Sequence, residues 1–194
     1  MKRILLVDNY DSFTYNLVHY FESLECHVTI CYNNEIPDKI QENYDAIVLS
    51  PGPGLPEESG GLNALLRTYL GKIPILGVCL GGQALAVELG GTLFNQKVVK
   101  HGVQELISVE KGVLFSTNDQ AYKVGLYHSW AISNDGNYQV TATSKEGIVM
   151  ALENKELQCF GVQFHPESIM TPGGKEVLRN FLEEVGEVVA ANVE

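Results

Sequence analysis

The sequence predicts an α/β fold: an open, mostly parallel sheet with helices on both faces, and β-hairpins added in its second half. Three observations predict it. The first half alternates near-continuous apolar runs with segments of helical period. Several of those runs end in loops rich in glycine, proline and polar residues. From Thr92 the texture turns β-rich until one last helical stretch. Apolar runs that do not alternate with polar residues belong to strands buried on both faces, the condition of a parallel sheet covered by crossover helices.

In chain order, KRILLVDN is followed by the helix-period segment SFTYNLVHYFESLE, HVTICY by PDKIQENY, DAIVLS by LNALLRTYLG, and PILGVC by GQALAVELG. That is repeated strand–helix order. The segments TLFNQKVV, VQELISV, GVLF, YKVGLYHSWAIS, YQVTATS, GIVMALEN and LQCFGVQF then read as strands, and GGKEVLRNFLEEVGEVV as the closing helix. No linker rich in Pro, Ser or charge separates the halves, so residues 1–194 are expected to form one domain. Open sheets of this kind bind ligands beyond the carboxyl ends of their strands, so chemistry is expected in the loops that follow them.

Composition narrows the function. The 194-residue chain carries a formal net charge of −11 and no Lys/Arg cluster, so a nucleic-acid backbone would be repelled. No apolar run reaches the roughly 18 residues of a membrane span. The N-terminal MKRILLVDNY meets Asp8 and Asp11 at once and lacks a cleavage site, which reads as the first strand of a cytoplasmic protein. Cys26, Cys31, Cys79 and Cys159 are scattered without metal-ligand spacing, and no metal site is expected. Three of them read as small buried hydrophobes on strand-like segments.

Cys79 differs. Gly77-Val78-Cys79-Leu80-Gly81 has the spacing of a strand-to-helix nucleophile elbow, in which flanking glycines remove the Cβ atoms that so sharp a turn would crowd. At the start of the following helix the thiol meets unpaired N–H groups and the helix dipole, which favour the thiolate. On this stretch alone a buried structural cysteine remains the alternative. A base and its orienting group are offered by His165 and Glu167 in GVQFHPE, where Pro166 stops the strand; a histidine at a strand end beside an exposed glutamate is the plainer reading. His19, His27, His101 and His128 read as solvated or structural. The loop SPGPGLP leaves backbone N–H groups exposed, and the Gly54 N–H could join that of Leu80 in an oxyanion hole. A phosphate cradle or an ordinary surface turn would use similar residues. Gln83, one helical turn beyond Cys79, shares the face of the thiol.

Taken together, DNYDSFTYNLV, SPGPGLPEESGG, PILGVCLGGQALA, YHSW at 127–130 and GVQFHPESIMTPGG resemble the class I (triad) glutamine amidotransferases over nearly the whole chain, and more narrowly the small subunits of anthranilate and aminodeoxychorismate synthases. The resemblance implies a Cys79–His165–Glu167 triad, an oxyanion hole at Gly54 and Leu80, and glutamine contacts at Gly52, Pro53, Gly54, Gln83, Ser129 and Trp130. It implies glutamine as substrate, a partner in the form of a chorismate-binding large subunit, and no cofactor in this chain, Mg²⁺ belonging to the partner. A cysteine peptidase or thiol hydratase on a similar sheet, or a non-catalytic regulatory subunit, are the rival readings. Two residues depart from the family pattern: Gly82 stands where relatives carry His, and Trp130 where they carry Leu. Because neither is a triad member, Gly82→His is expected to preserve folding and to keep activity within about tenfold.

Overall fold

The computed structural model describes residues 1–116 and 121–191. In order, its elements are β1 Arg3–Asp8, α1 Thr14–Glu22, β2 His27–Tyr32, α2 Ile40–Asn43, β3 Ala46–Leu49, a 3-10 turn Pro56–Glu58, α3 Leu62–Tyr69, β4 Ile75–Val78 and α4 Leu80–Glu88. There follow β5 Leu93–Val109, β6 Ala121–Ile132, β7 Gln139–Thr143, β8 Val149–Asn154, β9 Cys159–Val162 and α5 Gly174–Ala191. The strands form one sheet in the order β2-β1-β3-β4-β9-β8-β6-β5-β7. Neighbours from β2 to β9 pair in parallel and the remainder antiparallel. The antiparallel part curls back on itself, because β7 pairs with both β5 and β8.

Successive residues of a strand face opposite sides of the sheet, and this divides the core in two. Ile4, Leu6, Val48 and Leu76 pack with Leu17 and Phe21 of α1 and Phe181 of α5. Leu5, Val7, Ile47 and Ile75 pack on the other face with Leu62 and Leu66 of α3 and Leu85 of α4. Among the described residues no helix is long and apolar enough to cross a membrane.

The structure departs from the sequence reading in places that have physical causes. The segments TLFNQKVV and VQELISV are one strand, β5, whose register against β6 slips between Asn95 and Lys100 and between His101 and Val103. Gly102, at φ +67°, allows the second irregularity. GVLF forms no strand: the backbone N–H groups of Val113 and Leu114 donate to the buried Glu153 carboxylate at 2.8 and 2.9 Å, which replaces ladder pairing. PDKIQENY yields only the four residues of α2, entered through Lys39 at φ 56°. Strand β9 ends at Val162, so His165 lies in the loop beyond it, where its N–H donates to the Gly125 carbonyl at 3.0 Å.

Gly82 is the sharpest departure. A Cβ there would stand 2.7 Å from the carbonyl oxygen of Val162 and 3.2 Å from that of Gly77, so the glycine sets how closely α4 rests on β4 and β9. The expectation that Gly82→His leaves the elbow undisturbed is therefore corrected: any side chain at 82 must push α4 away from backbone. Gly82→Ala is expected to destabilise by about 1–3 kcal/mol, the range for overpacking a tight contact, and to lower the melting temperature by roughly 3–10 °C in calorimetry. An unchanged melting temperature would show that α4 can back away freely.

Candidate active site

The strand-to-helix turn holds Cys79 at φ 52°, ψ −106°, a conformation a non-glycine residue rarely adopts. Steric contacts impose it. A Cβ at Gly77 would lie 2.3 Å from the carbonyl oxygen of Gly81, and one at Gly81 would lie 2.5 Å from that of Leu49. With those side chains absent, the chain turns directly from β4 into α4. The Cys79 N–H donates to Val162 at 2.8 Å and its carbonyl accepts from the Gln83 N–H at 2.9 Å, which fixes the residue from both ends.

One cavity of about 160 Å³ opens over Cys79 and is lined by Gly52, Pro53, Gly54, Gln83, Ser129 and Trp130, joined by Tyr127 and His128. All the substrate-contact positions expected from sequence thus face one space. The loop carrying Gly52–Gly54 is tied down beneath: the Asn9 N–H donates to Ser50 Oγ, and Asn9 Nδ2 to the Ser50 carbonyl, each at 2.8 Å. Glu58 caps the loop by accepting from the Leu55 N–H at 3.1 Å. The N–H groups of Gly54 and Leu80 make no hydrogen bond among the described residues, so both are free to receive an anion.

His165 and Glu167 lie buried beside this cavity rather than on its wall, at 2% and 3% exposure. His165 Nδ1 and Glu167 Oε1 are 2.7 Å apart, while His165 Nε2 has no hydrogen-bond partner among the described residues. The rings of Phe13 and Tyr127 stand edge-on to the imidazole, with centroids 5.2 and 4.8 Å away, and hold its plane. Burial disfavours the charged imidazolium, but the neighbouring Cys79 sulfur and the Glu167 carboxylate outweigh it and raise the His165 pKa to about 10. Glu167 is therefore no exposed glutamate, and the unpartnered Nε2 is the imidazole nitrogen left for proton exchange with the thiol.

Sequence reasoning missed three contributors. His128 is buried, and burial, as the largest of several contributions, lowers its pKa. Its Nδ1 lies 2.8 Å from the Trp130 carbonyl oxygen and 2.9 Å from Gln96 Nε2, and its Nε2 has no hydrogen-bond partner among the described residues. Tyr127 supports His165 as described. Gln163 is fully buried and its Nε2 lies 3.7 Å from Cys79 Sγ. The YHSW and GVQFHPE stretches contain all three, but spacing alone gives none of them a role. No group of three or more His, Cys, Asp or Glu among the described residues could hold a metal ion, and Cys26, Cys31, Cys79 and Cys159 are all free thiols.

The fold and this site define a class of enzyme. The chain belongs to the class-I glutamine amidotransferases: the family description "Glutamine amidotransferase class-I" matches residues 5–185. Within that family it is 41% identical over 193 residues to the aminodeoxychorismate/anthranilate synthase component 2 of Bacillus subtilis, covering 97% of this chain and 100% of that protein. It is also 41% identical over 190 residues to the bifunctional protein TrpGD of Thermotoga maritima, covering 94% of this chain but only 32% of that longer protein. A solved structure from Thermoplasma acidophilum, described provisionally as one of the subunits of GMP synthase, superimposes with a TM-score of 0.90 at 25% identity, covering 100% of this chain and 98% of that one.

The raised His165 pKa has a definite sign. A histidine titrating higher when folded contributes stability that is complete below its ordinary value near 6.5 and is lost as pH rises through about 10. Removing the thiol in Cys79→Ala deletes the first of the favourable contributions, so the His165 NMR titration midpoint is expected to fall from about 10 toward its ordinary value. An unmoved midpoint would mean that the thiol and the imidazole do not interact.

Proposed function

We propose that this chain is the glutaminase component of a two-subunit enzyme that aminates chorismate, with anthranilate as the favoured product and, as the alternative, aminodeoxychorismate or one chain serving both synthases. One observation carries the catalytic part: a strained cysteine at the floor of a cavity, beside an imidazole whose far nitrogen is held by a buried carboxylate at 2.7 Å. The pathway part is supported by the relatives, of which the Bacillus protein bears the names of both synthases.

In this reading His165 already holds the Cys79 proton at Nε2, as its raised pKa implies, and the thiolate sulfur bonds to the side-chain carbonyl carbon of glutamine. The developing oxyanion is met by the N–H groups of Gly54 and Leu80. The carbon–nitrogen bond breaks as His165 returns the proton to the departing nitrogen, releasing ammonia. Water, losing a proton to His165, then cleaves the thioester to glutamate and restores the thiol. Gly52, Pro53, Gln83, Ser129 and Trp130 line the space that would hold the amino-acid end of glutamine. The chemistry calls on no cofactor in this chain; ammonia passes to a chorismate-binding large subunit that holds Mg²⁺. A cysteine peptidase would need an open cleft for a polypeptide, and this cavity has room only for a small molecule.

With that large subunit present, Cys79→Ser is expected to abolish glutamine-dependent amination while leaving ammonia-dependent amination intact, and mass analysis of the product would distinguish the two synthases. Equal loss of both activities would refute the division of labour. The isolated chain is expected to release glutamate slowly and to speed up on adding the large subunit, because Gly54 sits on a loop separate from α4 and a docked partner would fix the two together. A rate indifferent to any partner would favour a free-standing amidase.

A further inference from the structure

The family resemblance has Gln83 meeting the substrate through its amide, but the structure commits that amide elsewhere. Its Nε2 donates to the Trp130 carbonyl at 3.0 Å and to Gln163 Oε1 at 3.1 Å, and Gln163 Nε2 in turn lies 3.7 Å from Cys79 Sγ. The direction of this chain is not arbitrary. A backbone carbonyl can only accept, so the Gln83 group facing Trp130 must be its NH₂, and the Gln163 atom facing that NH₂ must be its oxygen. The NH₂ of Gln163 is thereby turned onto the sulfur. Both amides are buried, Gln83 at 3% and Gln163 at 0% exposure, so no water need compete for the contact.

We propose that Gln163 is a positioning residue for the nucleophile: its side-chain N–H, oriented through Gln83 by the Trp130 carbonyl, donates to the Cys79 sulfur and stabilises it as thiolate. This rests on Cys79 being the nucleophile. A donor to a charged acceptor is stronger than one to a neutral acceptor, so the contact strengthens as the proton leaves. It approaches from the loop just after β9, whereas the α4 N-terminus approaches from the helix side, and the two hold the sulfur from different directions. The titratable groups around the sulfur are His165 with Glu167 behind it, and His128 on the cavity wall with the Lys100–Glu105 ion pair beyond. Gln163 differs from all of these in carrying no charge of its own, so its removal shifts the thiol without adding or deleting a titration.

The test is alkylation of Cys79 by iodoacetamide across pH, read by mass spectrometry of the peptide containing it, in the wild type, Gln163→Met and Gln83→Met. Methionine keeps the length of the side chain and removes the donor. Gln163→Met is expected to slow alkylation at pH 7 about tenfold and to move the midpoint of the pH profile upward by about one unit. Gln83→Met, which leaves Gln163 in place but free to turn over, is expected to show the same upward movement at about threefold. A cooperative melt shows that each variant folds; if Gln163→Met does not, Gln83→Met decides by the same profile. A folded variant alkylated with the wild-type pH profile would overturn the proposal. The measurement needs neither glutamine nor a large subunit, so failure of the pathway assignment would leave it untouched, and loss of all Cys79 reactivity in the wild type would point instead to failure of the nucleophile assignment.

Discussion

The close approach of α4 to the sheet governs the rest of the site. Gly77, Gly81, Gly82 and Gly161 bring helix and strand backbones together where side chains would collide: a Cβ at Gly161 would lie 3.3 Å from the Cα of Gly82, and one at Gly77 would lie 2.6 Å from the Gly82 nitrogen. With the helix seated so low, one residue must join β4 to α4 in a single sharp turn, and Cys79 takes the strain. A conformation of this kind costs of order 1–3 kcal/mol and persists only where its surroundings over-determine it. Here the hydrogen bonds from Cys79 to Val162 and from Gln83 to Cys79 do so, which makes the strained elbow a consequence of core packing.

From that seat the two halves of the sheet divide the remaining work. The parallel half supplies the loop at Gly52–Gly54, and its position is referred back to α4: a Cβ at Gly52 would lie 2.6 Å from Asn9 and 2.7 Å from Leu80 Cδ2, so the loop is wedged between the end of β1 and the first residue of the helix. Asn33 Nδ2 donates to Asn9 Oδ1 at 3.1 Å, tying the end of β2 into the same network. The antiparallel half supplies residues 127–130 from β6 and residues 163–167 from the loop after β9. The two halves meet at β9, which pairs in parallel with β4 and antiparallel with β8, and whose Val162 carbonyl accepts from the Cys79 N–H.

Much of this was legible in the sequence, for reasons that follow from what each signal encodes. Strands β1, β3 and β4 are buried on both faces and so appear as unbroken apolar runs, and the elbow glycines announce a steric need local to five residues. What escaped were features set by partners distant in sequence. Glu153 replaces the ladder partner of GVLF from 39 residues away, which no local pattern records. Gly82 looked dispensable because its neighbour across the contact, Val162, lies on another strand. His128 and Gln163 looked ordinary because their roles depend on which carbonyl or sulfur they face.

Trp130 shows how a departure from the family pattern can leave the site's wiring intact. Its carbonyl oxygen accepts from Gln83 Nε2 at 3.0 Å and lies 2.8 Å from His128 Nδ1, so it touches two cavity residues through backbone alone. That task is indifferent to the side chain. Trp130 also borders a second cavity of about 420 Å³, with Leu55, Pro56, Val87 and Leu93 among its walls, as well as the one over Cys79. Exchanging leucine for tryptophan therefore changes a side chain at the border of both spaces without touching the backbone carbonyl that orients Gln83. Because a carbonyl cannot donate, whatever residue stands at 130 leaves Gln83 pointing the same way, and the thiol receives the same N–H.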